Sequence, residues 1–181
     1  HSCITCHTNG FYLIGRARSG SQAPAYLEAR NFAHDFIKPH VDPDHQRKGT
    51  RTPGAEAVVA TTAFLAISDM KIKGALSETT RQAFDYIWRI QSDSGAWEKW
   101  IKCNWGPYES DDHFGVSLVA LALGVASRDE YTQSPQAAEA DQRLKKFLRS
   151  HPPESLHQKG MLLWAAGYRN DLVKTNVVKK W

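Results

Sequence analysis

The sequence predicts an all-α protein, and three observations carry that expectation. Alanine-rich stretches that are apolar on nearly every side recur along the chain. Each is followed by a segment whose large apolar residues fall three and four positions apart, and Ser, Pro and Gly stand at the joints. With 181 residues, 41% hydrophobic and 23% charged, the chain suits one domain with a buried core. Its formal charge of +4 comes from basic residues scattered among acids, apart from clusters such as Gln46-Arg47-Lys48 and Lys179-Lys180. Nucleic-acid binding is therefore not expected, whereas docking to an acidic partner or an anionic membrane surface is compatible with this charge. No apolar run reaches the length of a membrane span.

The elements follow in order. Phe11, Tyr12, Leu13 and Ile14 form a short apolar run punctuated by Gly10, Gly15, Gly20 and Pro24. Residues 26 to 37 read as an amphipathic helix with Leu27, Phe32 and Phe36 as its stripe, and residues 34 to 45 (HDFIKPHVDPDH) read as a connection without regular structure. Residues 55 to 67 (AEAVVATTAFLAI) should form a buried helix entered at Pro53 and Gly54. Ser77 is the expected N-cap of an amphipathic helix to residue 91, with Phe84, Ile87 and Trp88 inward.

After a turn-rich loop, residues 112 to 123 (DHFGVSLVALAL) repeat the apolar pattern. Residues 136 to 150 repeat the amphipathic one through Leu144, Phe147 and Leu148, with Ser134-Pro135 in front. Residues 157 to 168 (HQKGMLLWAAGY) form a third apolar segment, and residues 171 to 181 look like the start of a third amphipathic helix. Inner and outer helices thus alternate three times with a unit of roughly 45 to 55 residues, which indicates stacked helical hairpins. The last inner segment lacks a full outer partner. Its flank is expected to be covered by further residues of the same chain, by another copy or by other subunits, and the exposure of Leu163, Trp164 and Val177 bears on this.

At the other end of the chain, Cys3-Ile4-Thr5-Cys6-His7 is a C-x-x-C-H. Two thiols at this spacing can reach the two vinyl groups of one haem, and the following histidine can coordinate the iron from below. The motif therefore predicts haem c, with Cys3 and Cys6 as thioether anchors and His7 as proximal ligand. A Cys3–Cys6 disulfide, half of a zinc site and a thioredoxin-like pair are the competing readings. A zinc site needs a second ligand pair, and Cys103 has no cysteine close by; a redox pair is expected beside a strand-helix unit, and no strand precedes it. Because such haem is attached outside the cytoplasm, a periplasmic or other extracytoplasmic location is expected, with a chain that was processed or only partly observed ahead of His1.

The loop after the second predicted helix contains Gln91-Ser92-Asp93-Ser94-Gly95-Ala96-Trp97, a Q-x-x-x-G-x-W. Gln91 can bond helix-end groups, Gly95 permits a tight turn and Trp97 can bury its ring between hairpins. On this motif the region from about residue 51 to 181 resembles the squalene-hopene cyclase and prenyltransferase-like α/α toroids. The whole chain resembles bacterial squalene-cyclase-like proteins with an N-terminal C-x-x-C-H, through CITCHT, GAEAVVATTAFLAI, FDYIWRIQSDSGAW and SLHQKGMLLWAAGY. The resemblance implies a haem-attachment segment over residues 1–50 and an incomplete toroid of about three hairpins over residues 51–181, packed as one unit.

Glu109-Ser110-Asp111-Asp112 stands where triterpene cyclases carry D-x-D-D, which by resemblance makes Asp111 the acid, flanked by Glu109 and Asp112. The first residue departs from that pattern, and three hairpins are about half of a full toroid, so capping of the next helix is the competing role. If the hairpins curve as a toroid does, Glu56, Asp111 or Asp112, and His157 face one concave mouth.

The sixth haem ligand is open among His34, His40, His45, His113, His151, His157, Met70 and Met161, with the histidines of residues 34 to 45 favoured because that stretch joins the haem peptide to the hairpins. Two functions follow. One is an electron-transfer haem protein or a subunit of a redox assembly, acting with a redox partner protein or a larger membrane-associated complex. The other is a toroid-type enzyme or binding module for an apolar, terpenoid-like ligand, in which haem is structural or absent. A homo-oligomer is compatible with either.

Overall fold

The computed structural model describes residues 9–42, 55–97, 100 and 111–178. Among these are eight α-helices and no strand: α1 (Asn9–Arg16), α2 (Pro24–Val41), α3 (Ala55–Lys73), α4 (Glu78–Arg89), α5 (Asp112–Val125), α6 (Pro135–Ser150), α7 (Leu156–Ala166) and α8 (Thr175–Val178), with a 3₁₀ turn at Glu130–Gln133. They form two rows. The inner row is α1, α3, α5 and α7, each packed on the next; the outer row is α2, α4 and α6, laid against the gaps.

Position in the rows explains the composition of each helix. Residues 58 to 69 of α3 and 113 to 124 of α5 are buried without interruption, because these helices have neighbours on every side. In α4 and α6 only a stripe is buried, Phe84, Ile87 and Trp88 in one and Leu144, Phe147 and Leu148 in the other. Ser77, Asp111, Ser134 and Ser155 cap α4, α5, α6 and α7 by accepting from backbone N–H groups in the first turn.

All four inner helices run the same way. Tyr26 donates to the Leu13 carbonyl at 3.1 Å and lies 2.6 Å from the Ser68 hydroxyl, and Lys71 donates to the Ile14 carbonyl at 2.9 Å, so α1 rises alongside the second half of α3. The Leu76 N–H donates to Asp129 at 2.8 Å, joining the segments that leave α3 and α5. Gln158 donates to Asp111 at 2.6 Å where α5 and α7 begin, and Gly124 abuts Tyr168 and Arg169 where they end.

The Q-x-x-x-G-x-W loop ties α4 to α6. Gln91 donates to the carbonyls of Gly95 at 3.0 Å and Ala140 at 3.4 Å, and accepts from Arg143 at 2.9 Å. Gly95 sits at φ +94° with its α-carbon against the Arg143 carbonyl, where a Cβ would collide. Trp97 is 1% exposed and donates to the Ile87 carbonyl at 2.9 Å.

Several boundaries differ from the sequence expectation. Residues 34 to 41 are helical rather than irregular: α2 starts with Pro24 in its first turn and tolerates Pro39 three residues from its end, where little of the hydrogen-bond ladder remains to be broken. The helix expected to stop at residue 67 continues to Lys73. It crosses Ser68 and Asp69 because both find buried partners, Ser68 on Tyr26 and Asp69 on Arg30, the Ser77 N–H (2.9 Å) and the Thr80 hydroxyl (2.7 Å).

The third outer helix expected over residues 171 to 181 is reduced, among the described residues, to α8. Arg169 pairs with Asp141 (2.5 and 2.7 Å) and Asp171 (3.2 Å), and Lys145 reaches Asp171 at 2.5 Å, which holds the segment after α7 as a turn. Residues 9–42 form a further helical pair, packed on α3 and α4. Leu163, Trp164 and Val177 are 37%, 36% and 37% exposed.

Two outcomes follow from this packing. Trp97→Ala should lower stability by about 3–5 kcal/mol in denaturant melts, the usual cost of deleting a buried aromatic. Burial pushes the Asp69 carboxyl up, but hydrogen bonds from Ser77 and Thr80 and the Arg30 charge outweigh it and hold its pKa below the ordinary value. Its stabilisation is therefore present above about pH 3.9 and is lost as pH falls through the depressed value. Asp69→Asn should cost about 3–5 kcal/mol at neutral pH by leaving Arg30 unpaired, and should flatten the acid limb of the stability curve.

Candidate functional site

Because the inner helices are parallel, their first turns meet at one end of the molecule. Glu56 of α3, Asp112 to Phe114 of α5 and His157 of α7 lie there, with Trp100 placed over Gly115 and edge-on to Phe114 at 6.3 Å. The His157 ring stacks on Phe114 at 5.5 Å. About two turns along the inner helices, the first turn of α1 packs on α3 and α7. Gly10 touches the Phe64 ring so closely that a Cβ would not fit, and Phe11 packs on Phe64 at 5.7 Å and stacks on Trp164 of α7 at 6.3 Å.

Glu56 and His157 hang below that seat. Trp164 and His157 are seven residues apart, so they share a face of α7 and are separated by about 10 Å along its axis. Phe64 and Glu56 are eight residues apart on α3, about 12 Å along the axis and on overlapping faces. Glu56 thus lies about two turns down α3 from Phe64 and His157 about two turns down α7 from Trp164, while Phe64 and Phe114 are fully buried. The Glu56 Oε2 atom is buried without a hydrogen-bond partner, an uncommon state for a carboxylate oxygen.

The residues singled out in the sequence divide between this mouth and other places. Cys3, Cys6, His7, His45, Cys103 and Glu109 lie outside the described residues. Thr8 alone separates His7 from Asn9, the first residue of α1. His34 and His40 belong to α2 in the outer row. His40 is wedged between the rings of Phe36 and Tyr86, each at 5.7 Å, and the His34 imidazole is held below its ordinary pKa by burial and the Arg30 charge. Met70 lies near the far end of α3, beside Lys71, and Met161 is buried in the core. His157 lies in the first turn of α7 with its ring stacked on Phe114.

Asp111 has another task. One carboxylate oxygen accepts from the Phe114 N–H at 2.8 Å and caps α5; the other accepts from Gln158 at 2.6 Å and joins α5 to α7. Both oxygens are thus engaged in joining and capping helices. Asp111 and Asp112 also border a cleft of about 390 Å³ on the outer side of the α5 first turn, walled by His113, His151, Glu154 and Gln158. That lining is polar, unlike the apolar wall a terpenoid chain requires. No group of three or more His, Cys, Asp or Glu side chains capable of holding a metal ion occurs among the described residues.

Two features here were not read from the sequence. The seat of Phe11 depends on Trp164, more than 150 residues later, and its one local signal is the Gly10-Phe11 pair. The buried Glu56 oxygen depends on the surroundings of the helix start, which no pattern in the chain encodes. No family model, curated protein or solved structure matches the chain.

His113 is 5% exposed, and burial holds its imidazole below the ordinary pKa against the pull of the Asp111 carboxylate. The unfolded chain takes up this proton more readily, so stability should decline as pH falls below about 6.5, and His34 acts in the same direction. Urea melts at about pH 7 and pH 5.5 should show that decline in the parent and a smaller one in His113→Phe; equal slopes in both would contradict the assignment.

Proposed function

We propose that the protein is an extracytoplasmic c-type haem protein that passes electrons, alone or as a subunit of a larger redox assembly. The observation that carries this reading is the C-x-x-C-H at Cys3 to His7, one residue ahead in sequence of a helix whose first turn packs on Phe64 of α3 and Trp164 of α7. Of the nearby aromatic rings, Phe11 and Trp164 are only partly buried and stack at 6.3 Å, so they would offer apolar surface to a haem. When bound, haem supplies a one-electron iron couple whose potential follows its axial ligands and surroundings.

The chain's own residues anchor, orient and shield. Cys3 and Cys6 would hold the haem through thioether bonds, each thiol adding across one vinyl group with its proton going to the neighbouring carbon, and His7 would offer a nitrogen to the iron. The two rows act as scaffold, and their parallel inner helices and Q-x-x-x-G-x-W tie are the features expected of an incomplete α/α toroid. No helix among the described residues is long and apolar enough to cross a membrane, and the net charge of +4 suits docking to an acidic redox partner.

The test is the intact mass of protein made in a host that matures c-type cytochromes. Denatured protein should carry the added mass of one haem and retain peroxidase staining, and a Cys3→Ser, Cys6→Ser double variant should lose both. A mass equal to the bare polypeptide, or lower only by the two hydrogens of a disulfide, would overturn the proposal.

A further inference from the structure

We infer that the polar cleft between the first turn of α5 and the connection from α6 to α7 binds a small hydroxylated amine, its ammonium among the carboxylates and its hydroxyl on the buried imidazole of His113. The inference goes beyond the haem reading and does not depend on it.

The cleft measures about 390 Å³, within the range of small-molecule sites. Its walls are tied together by the protein itself. Gln158 donates to Asp111 at 2.6 Å and accepts from the Glu154 N–H at 2.7 Å, which fixes the start of α7 against the start of α5. On the α6 side the His151 ring stacks on Phe147 at 4.2 Å.

Charge sets the sign of the ligand. Asp111, Asp112 and Glu154 line the cleft, and no lysine or arginine stands among the described residues that line it. A concave surface of one sign concentrates its field, so a cation is favoured there. The oxygens of Asp111 already serve Phe114 and Gln158, so Asp111 contributes its field, whereas Glu154 is exposed and free to turn toward a bound ammonium.

His113 sets the other end. It is 5% exposed and lines the same cleft. Its Nδ1 lies 3.3 Å from the Ser117 hydroxyl, while its Nε2 is buried with no hydrogen-bond partner; the nearby His151 backbone makes no hydrogen bond to it. Buried nitrogens in that state are uncommon, and a ligand group that meets one recovers the lost bond. A hydroxyl suits either tautomer, because it can donate or accept. Burial also holds this imidazole below its ordinary pKa, so at neutral pH it carries no charge to repel a cation. An organic cation fits better than a metal ion: no three His, Cys, Asp or Glu side chains among the described residues can share an ion, and Phe147 and Pro152 add apolar wall.

Titration calorimetry on the full chain with glucosamine, glucose and cyclohexylamine tests this. The three rings are similar in size, and the last two lack the charge and the hydroxyls respectively. Glucosamine should bind saturably, and the other two about fivefold more weakly or worse. Glu154→Gln and His113→Phe should each weaken glucosamine about fivefold, the loss of one charge contact or one hydrogen bond. Should His113→Phe fail to fold, Glu154→Gln at the exposed rim decides alone. No saturable binding of glucosamine, equal binding of glucose or cyclohexylamine, or unchanged affinity in a folded variant overturns the inference.

Discussion

A buried carboxylate sets the architecture. Asp69 sits on an inner helix with no access to water and is satisfied only when Arg30 of α2 and Ser77 and Thr80 at the start of α4 converge on it. Removing any of these partners leaves charge or donors stranded in the core, so two outer helices are held in one register against α3. Asp129 repeats the device one hairpin later, accepting from the N–H groups of Leu76 (2.8 Å) and Tyr131 (3.0 Å) and pairing with Arg81 (3.2 Å). Apolar packing alone would let parallel, alanine-rich helices slide; these polar ties fix their height.

Fixed height gives the opposite end its character. With the tops of α3 and α5 locked, their first turns, and that of α7 through the Asp111–Gln158 bond, open side by side. The short helix α1 reaches only part of the way down α3, and Phe11 closes the upper part between Phe64 and Trp164. What lies beneath belongs to residues whose side chains differ from those of the core, Glu56 and His157 among them. The same parallel arrangement thus brings the first turns of the inner helices to one end of the molecule.

Much of this was legible in the chain. α3 and α5 announce themselves because a helix surrounded by neighbours must be apolar all round, and α4 and α6 because a covering helix needs only a stripe. The caps at Ser77 and Asp111 and the roles of Gln91, Gly95 and Trp97 follow from local chemistry, and the structure has them as that chemistry requires. Long-range compensation was not legible. That Asp69 could be buried within a helix depends on Arg30, far back in sequence, so the helix was expected to end too early. The stretch 34 to 41 with Pro39 looked irregular because packing on α4, not propensity, decides its state. With that stretch helical, His34 and His40 stand on α2 in the outer row, while His157 opens α7 against Phe114.

The central claim is that buried polar ties, rather than apolar packing alone, hold the helices at one height. A double-mutant cycle between Asp69→Asn and Arg30→Met, read by urea melts, tests it most directly. The account predicts a coupling energy of about 0.5–3 kcal/mol between the two positions. Additive effects of the two substitutions would contradict it.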